Sequence, residues 1–394
     1  MQNAGDPLRI LHVLRAPVGG VFRHVCDLVQ MQAARGHQVG IICDSTTGGA
    51  FEADRLTELA DYLPLGLVRT PMSRPIRPQD LGALLRVRAH AATLAPDIIH
   101  GHGAKGGIFS RLAAVSERRK RRAVANFYTL HGGSLHFDKQ AVTGRLYFRV
   151  ERSLERVTDA LVHVSAFEAE TYREKVGEPR CPARVIYNGL RPDEFWPVEK
   201  VGAPTDFLLL GELRPLKGVD VLLGALARMA EKGHRPSLCV VGSGVREQVE
   251  TYRAFAAEKD LDVRFHAPMP ARQALAQAHM IVVPSLAESL PYVVLEAAAA
   301  GTPMIATRVG GIPEIFSGEE DRLIEPGNVR ALASALTAAL ENPQRLVEEA
   351  AARRAFVHER FSLSGMAEEN EALYHEALSR RRGGPSMDAT LNAA

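Results

Sequence analysis

The chain is expected to fold as two doubly wound α/β domains, each a parallel sheet with helices on both faces. Short β-branched or apolar runs alternate with longer segments of helical period along most of its length. At 394 residues, 46% apolar and 24% charged, it is too long for one ordinary core. A stretch rich in turn and breaker residues, Asn188-Gly189 followed by Pro192, Pro197 and Pro204, interrupts the alternation near its middle.

In the first half, strands are expected at 9–14, 39–43, 97–100, 124–130, 160–164 and 184–187. Between the first two, Val21, Val25, Leu28 and Met31 form one helical stripe, with Gly36 placed to end the helix. In the second half, strands are expected at 207–210, 238–241, 263–266, 280–283, 303–306 and 322–324. From Asn328 the pattern is helical to about Arg382. The first domain is therefore set at 1–190, with a C-terminal helix at about 363–382 returning to it. The second is set at 191–362, and 383–394 reads as a disordered tail.

Composition narrows the function classes. Cys26, Cys43, Cys181 and Cys239 stand singly, without metal-type spacing, as reduced thiols do. The N-terminus has no signal-peptide pattern and no apolar run is long enough to span a bilayer, so a cytoplasmic protein is expected. The net charge of +2 conceals an asymmetry: residues 1–190 carry 26 Lys and Arg against 18 Asp and Glu. The run Arg118-Arg119-Lys120-Arg121-Arg122 suits an anionic membrane surface or a phosphate-bearing acceptor, and equally a solvated helix end. Nucleic acid is not expected, since no aromatics interleave with the cluster.

Ligands of doubly wound sheets bind beyond the carboxyl ends of the strands, where glycines and helix N-termini admit phosphates. The conspicuous motifs fall there: Gly19-Gly20, Thr129-Leu130-His131-Gly132-Gly133, Gly211-Glu212-Leu213-Arg214-Pro215-Leu216-Lys217-Gly218 and Gly242-Ser243-Gly244. The last lacks the third glycine of a dinucleotide fingerprint and reads as a tight turn. In Pro284-Ser285-Leu286-Ala287-Glu288-Ser289-Leu290-Pro291-Tyr292-Val293-Val294-Leu295-Glu296, Pro291 suits a first helical position. Glu288 then lies in the preceding loop and Glu296 about five residues into the helix. Two carboxylates at different depths, with a helix N-terminus between them, suit a sugar and a ribose joined by a diphosphate.

The order of these motifs, with Asn188-Gly189, Gly301-Thr302-Pro303 and Val309-Gly310-Gly311-Ile312-Pro313-Glu314, resembles the family-four retaining glycosyltransferases of the GT-B fold over roughly residues 8 to 375. The resemblance implies a nucleotide-sugar donor on the second domain and an acceptor on the first, across a cleft. It implies a glycan or lipid-linked acceptor and no metal requirement. Lys217 would hold the donor diphosphate, Glu288 the transferred sugar and Glu296 the ribose. Ser289, Leu290, Pro291, Tyr292 and Val293 would surround the sugar and phosphate, Gly19 and Gly20 would allow close approach, and His131 would reach the sugar from the acceptor side.

Two positions depart from the pattern. Glu212 stands where an arginine is common, leaving Arg214 to supply the charge, and Leu290-Pro291 replaces Phe-Gly. His102 and Lys105 suit the acceptor wall. His100 and His102 alone do not make a zinc site, with no third ligand near them in sequence. Asp260-Leu261-Asp262 reads as a solvated turn. An epimerase or sugar phosphorylase on the same fold, or a non-catalytic sugar-nucleotide binder, are the rival readings. The resemblance also implies work on lipid-linked or surface glycans, with peripheral attachment at the inner face of the membrane.

Overall fold

A computed structural model of the chain describes residues 7–73 and 78–383. The chain divides into two compact units, one running to Tyr187 and resuming at Ser364, the other Asn188–Leu363.

The first unit is built on β1 (Arg9–Leu14), β2 (Gln38–Cys43), β3 (Gly66–Arg69), β4 (Ile98–His102), β5 (Ala125–Thr129), β6 (Ala160–His163) and β7 (Ala183–Val185). They form one parallel sheet in the order β3-β2-β1-β4-β5-β6-β7. The crossovers are α1 (Gly19–Ala34), α2 (Ala50–Glu58), α3 (Asp80–Leu94), α4 (Gly103–Arg119), α5 (Val142–Leu154) and α6 (Ala166–Lys175). The second unit has β8 (Thr205–Leu210), β9 (Leu238–Val241), β10 (Val263–His266), β11 (Ala278–Val283) and β12 (Met304–Ala306), ordered β10-β9-β8-β11-β12 and all parallel. Its helices are α7 (Val219–Glu231), α8 (Arg246–Glu258), α9 (Ala271–Leu275), α10 (Tyr292–Ala299), α11 (Ile312–Ile315), α12 (Val329–Glu341) and α13 (Pro343–Arg360). The last helix, α14 (Leu363–Arg381), packs on the first unit, where Glu371 pairs with Arg35 at 2.6 Å and Arg381 with Asp159 at 2.6 Å.

Continuous apolar strands are what a sheet covered on both faces requires. In β1, Ile10, Leu11, Val13 and Leu14 are all buried. His12 interrupts that run and is equally buried. Helix α1 ends as expected: Arg35 is the C-cap and Gly36 follows at φ +86°, its N–H on the Ala33 carbonyl.

Two sequence expectations are corrected. The strand set at 322–324 is a 3₁₀ turn, Glu320–Arg322, followed by one isolated bridge between Ile324 and Thr307. Its Asp-Arg start is solvated and only Leu323 and Ile324 are apolar and buried, too few to extend a ladder. Strand β3 was not anticipated, because Gly66–Arg69 is a four-residue edge strand, half-buried to exposed, without a clear alternation. The tail set at 383–394 lies, from residue 384, outside the described residues.

One buried ion pair fixes the turn after β5. Arg111 on α4 and Glu151 on α5 meet at 2.7 Å, out of reach of solvent. Glu151 also accepts from the Ser134 and Tyr128 hydroxyls at 2.9 and 3.1 Å. Removing one member strands a buried charge, so Glu151→Ala should cost the first unit about 3–5 kcal/mol in denaturant unfolding. A loss of about 1 kcal/mol or less, typical of an exposed pair, would contradict this.

Candidate active site

In each sheet the strand order reverses once, between β1 and β4 and between β8 and β11. Helices leave the two strands on opposite faces there, so a crevice opens at their carboxyl ends.

In the second unit that crevice receives Lys217 and Glu288. The loop after β8 ends in a short 3₁₀ turn, Pro215–Lys217, and Gly218 then caps α7 at φ +66°. A Cβ on Gly218 would lie 2.0 Å from the Pro284 carbonyl oxygen, so only glycine lets the loops after β8 and β11 touch. The Leu286 N–H donates to the Leu216 carbonyl at 2.8 Å. Lys217 Nζ consequently sits 2.6 Å from Glu288 Oε1, which also accepts from the Ser285 hydroxyl at 2.7 Å. From the other side Gly310, at φ +60°, presses on the Glu288 backbone, where a Cβ would come within 2.1 Å of the carbonyl oxygen. The Gly311 N–H donates to the Ser289 carbonyl at 2.5 Å.

Pro291 is the N-cap of α10, one position earlier than expected, with extended backbone. Tyr292 and Val293 contribute first-turn N–H groups, with no acidic residue in that turn and no capping side chain. Leu290 just before them is anchored by the Asn188 amide, which donates to its carbonyl at 2.9 Å. Ser289 is half-buried, as is Glu296, the fifth residue of α10. Arg214 pairs with the neighbouring Glu212 at 3.3 Å, both side chains partly open to solvent. Gly242-Ser243-Gly244 supports this loop: the Leu213 N–H donates to the Ser243 carbonyl, and Leu213 bridges Gly244. Asp260 and Asp262 pair with Arg235 and Arg264 at the surface.

In the first unit, Gly19 and Gly20 open α1, which has no capping side chain. His131 follows β5 in the left-handed region at φ +51°, a strained position for a residue with a Cβ. The next residue is held by a buried carboxylate, as the Gly132 N–H donates to Glu168 at 2.5 Å. Around His131 the fold gathers four more histidines. His102 Nδ1 lies 3.2 Å from His131 Nε2, and His102 Nε2 lies 2.9 Å from His12 Nδ1. His12 Nε2 lies 2.9 Å from the Gln32 side-chain amide oxygen, Oε1. The His24 ring meets His131 edge-on at 4.7 Å, and His100 stacks on His102 at 4.2 Å. His12, His24, Gln32, Glu168 and Tyr374 escaped sequence reading, since each is an isolated polar residue within an apolar or helical pattern. Lys105, expected on the acceptor wall, is buried and binds Asp80 at 2.7 Å and the Ser73 carbonyl at 2.6 Å.

The basic run is partly neutralised. Arg118 pairs with Asp159, and the buried Glu117 receives Lys120 at 2.8 Å and Arg122 at 2.7 Å. Residues 119–122 are exposed.

Comparison with known proteins agrees with this arrangement. Residues 18–194 match the model described as Glycosyltransferase Family 4, and residues 204–342 the one described as Glycosyl transferases group 1. The D-inositol 3-phosphate glycosyltransferase of Corynebacterium glutamicum is 34% identical, with 92% of each chain covered. This chain belongs to glycosyltransferase family 4. A glycogen synthase of Mycobacterium tuberculosis is 27% identical, over 93% of this glycosyltransferase and 92% of the relative. Among solved structures, HepE from Anabaena in complex with UDP matches with a TM-score of 0.71 at 19% identity, covering 92% of this chain and 98% of that one. The sucrose-phosphate synthase of Thermosynechococcus elongatus matches at 0.76 and 20%, covering 94% and 100%. At such identities these two show the shared GT-B fold.

Burial sets the protonation of the glycosyltransferase's histidines. Desolvation lowers His12 from 6.5 to about 4, and it drives His100, His102 and His131 well below 6.5, helped by their mutual repulsion when charged. Above about pH 6.5 these imidazoles are neutral in both folded and unfolded chains, and their stability contribution is complete. As pH falls below 6.5 the unfolded chain takes up protons that the folded one refuses, so stability is lost progressively toward pH 4. Each such histidine contributes a slope of up to about 1.4 kcal/mol per pH unit. Urea unfolding in the presence of EDTA should show a marked loss between pH 7 and pH 5, and a flat profile would mean the rings are solvated.

Proposed function

We propose that the chain is a retaining hexosyltransferase that moves a sugar from a nucleoside diphosphate sugar to a hydroxyl of a lipid-linked or surface-polysaccharide glycan, without a metal cofactor. The observation that carries the reading is the convergence of Lys217 and Glu288, 2.6 Å apart, beside the uncapped start of α10. Departure of a nucleoside diphosphate leaves negative charge on phosphate and positive character on the anomeric carbon. Lys217 and the first-turn N–H groups would stabilise the former. Glu288 would hold the sugar through its hydroxyls and Glu296 the ribose. His131 would serve the sugar from the acceptor-binding unit. With no carboxylate assigned as nucleophile, attack from the face of the departing diphosphate is the route consistent with retention. The relatives named for D-inositol 3-phosphate favour a second reading for the acceptor, a small phosphorylated polyol, which also suits a basic first half.

Glu288→Ala should lower turnover about tenfold to a thousandfold while nucleoside diphosphate still binds, because the lost contact is to sugar. Glu296→Ala should instead weaken nucleotide binding. A thermal-shift screen with UDP-, GDP- and ADP-sugars would identify the donor for these assays. Near-normal turnover of the first variant, or unchanged nucleotide affinity of the second, would remove that residue from the site.

The same reading places the enzyme at the cytoplasmic face of a membrane, held by the exposed end of α4. Each basic residue near an anionic leaflet contributes about 1 kcal/mol. Co-sedimentation with vesicles containing phosphatidylserine should fall as salt is raised, and fall again when Arg119, Lys120, Arg121 and Arg122 are changed to Gln. Equal sedimentation with neutral vesicles, or none with either, would favour a soluble acceptor.

A further inference from the structure

The histidines of the first unit exceed what sugar transfer requires. His12, His24, His100, His102 and His131 arrive from β1, α1, β4 and the turn after β5, all within one unit. Two trios bring one ring nitrogen each to within 4.8 Å of one another: His12, His100 and His102, and His24, His102 and His131.

The first trio is already committed. Both ring nitrogens of His100 are engaged, one with the Tyr374 hydroxyl at 2.6 Å and the other with Thr129 at 2.7 Å. His12 is engaged on both sides, by His102 and Gln32. All three rings are wholly buried, with no face turned to solvent.

The second trio is arranged differently. His131 is only part-buried, unlike any member of the first trio. A tetrahedral zinc ion with metal–nitrogen distances of about 2.0–2.1 Å places its ligand nitrogens about 3.3 Å apart. The separation of His102 Nδ1 and His131 Nε2, 3.2 Å, already matches one edge of that tetrahedron. The His24 nitrogen lies within 4.8 Å of both. The tautomers also follow from the network. Because the Gln32 oxygen can only accept, His12 Nε2 carries a proton and its Nδ1 accepts. His102 Nε2–H must therefore donate to His12, which leaves the lone pair of His102 Nδ1 facing His131 Nε2. A ligating histidine whose other nitrogen is held through a hydrogen-bonded chain is the support that metal sites use to orient a ligand.

We propose that His24, His102 and His131 form a site for a divalent transition cation of the zinc class, with water in the fourth position, and that its occupation suppresses sugar transfer. The cation takes the lone pair of His131 Nε2 as that ring shifts its proton to Nδ1, with no net proton change. It thereby removes from the reaction the nitrogen with which His131 would serve the sugar. The cation is an inhibitor, in keeping with transfer that needs no metal. Binding rests on the histidines alone, whereas inhibition rests on the role proposed above for His131.

The full-length protein, stripped with EDTA, is titrated with Co²⁺ and with Zn²⁺. One equivalent of Co²⁺ should produce the visible absorption of a tetrahedral complex, Zn²⁺ should bleach it, and Zn²⁺ should raise Tm, since a ligand of the native state alone stabilises it. His24→Gln should abolish the absorption and the Tm shift while folding normally. Gln32→Leu should weaken Co²⁺ binding about tenfold to a hundredfold through the orienting chain. In the donor assay, Zn²⁺ should inhibit the wild type reversibly and leave His24→Gln unaffected. Absence of a tetrahedral cobalt spectrum, or binding indifferent to His24, overturns the site. His24-dependent binding without inhibition overturns the regulatory half and leaves the assignment of Lys217 and Glu288 untouched.

Discussion

The constraint from which the rest follows is the reversal of strand order within each parallel sheet. A parallel sheet must be covered on both faces, and right-handed crossovers reach the two faces only by winding outward from a central pair of strands. Those pairs are β1 with β4 and β8 with β11. Loops that leave a central pair diverge, and the ends of the strands lie open between them. In the second unit this brings the lysine after β8 beside the glutamate after β11, although 71 residues separate them. In the first it sets His12 and His102 on the two strands that flank the reversal.

Small residues decide how closely the diverging loops can approach. Gly218 lets the loop after β8 meet the Pro284 backbone, and Gly310 lets the loop after β12 meet the backbone of Glu288. Both have positive φ, so a side chain would be strained as well as crowded. The second-unit site is therefore made by backbone contact between loops, and its charged groups are carried into place by that contact. The first-unit site is made by side chains: a buried carboxylate, Glu168, holds the turn after His131, and a row of imidazoles runs inward from it.

The two units spend their charge in different ways. In the second, Lys217 and Glu288 keep some access to solvent, and each is the other's partner. In the first, several basic side chains are paired within the unit: Arg111 with Glu151, Lys105 with Asp80, and Lys120 and Arg122 with Glu117. Basic groups left outward include Arg119 and Arg121 at the end of α4 and Arg145 and Arg149 on α5.

Much of this was legible in the sequence. Apolar runs long enough to be buried on both faces, separated by helical segments, determine a doubly wound architecture, because no other packing hides them. Eleven of the twelve anticipated strands are present, and the motifs beyond their carboxyl ends could be read because glycine, proline and helix starts leave local signatures. Tertiary structure alone decided the rest. The direction of the Arg214 side chain, which pairs with Glu212, is one such feature. Whether Lys105 would face an acceptor depended on Asp80 from the neighbouring helix. The histidines that His100 and His102 lacked near them in sequence come from distant segments: His12 on β1 stands beside both, and His24 on α1 and His131 in the turn after β5 stand beside His102. Local sequence specifies backbone preference and burial, whereas a cluster of side chains from distant segments exists only once the strands that carry them stand side by side.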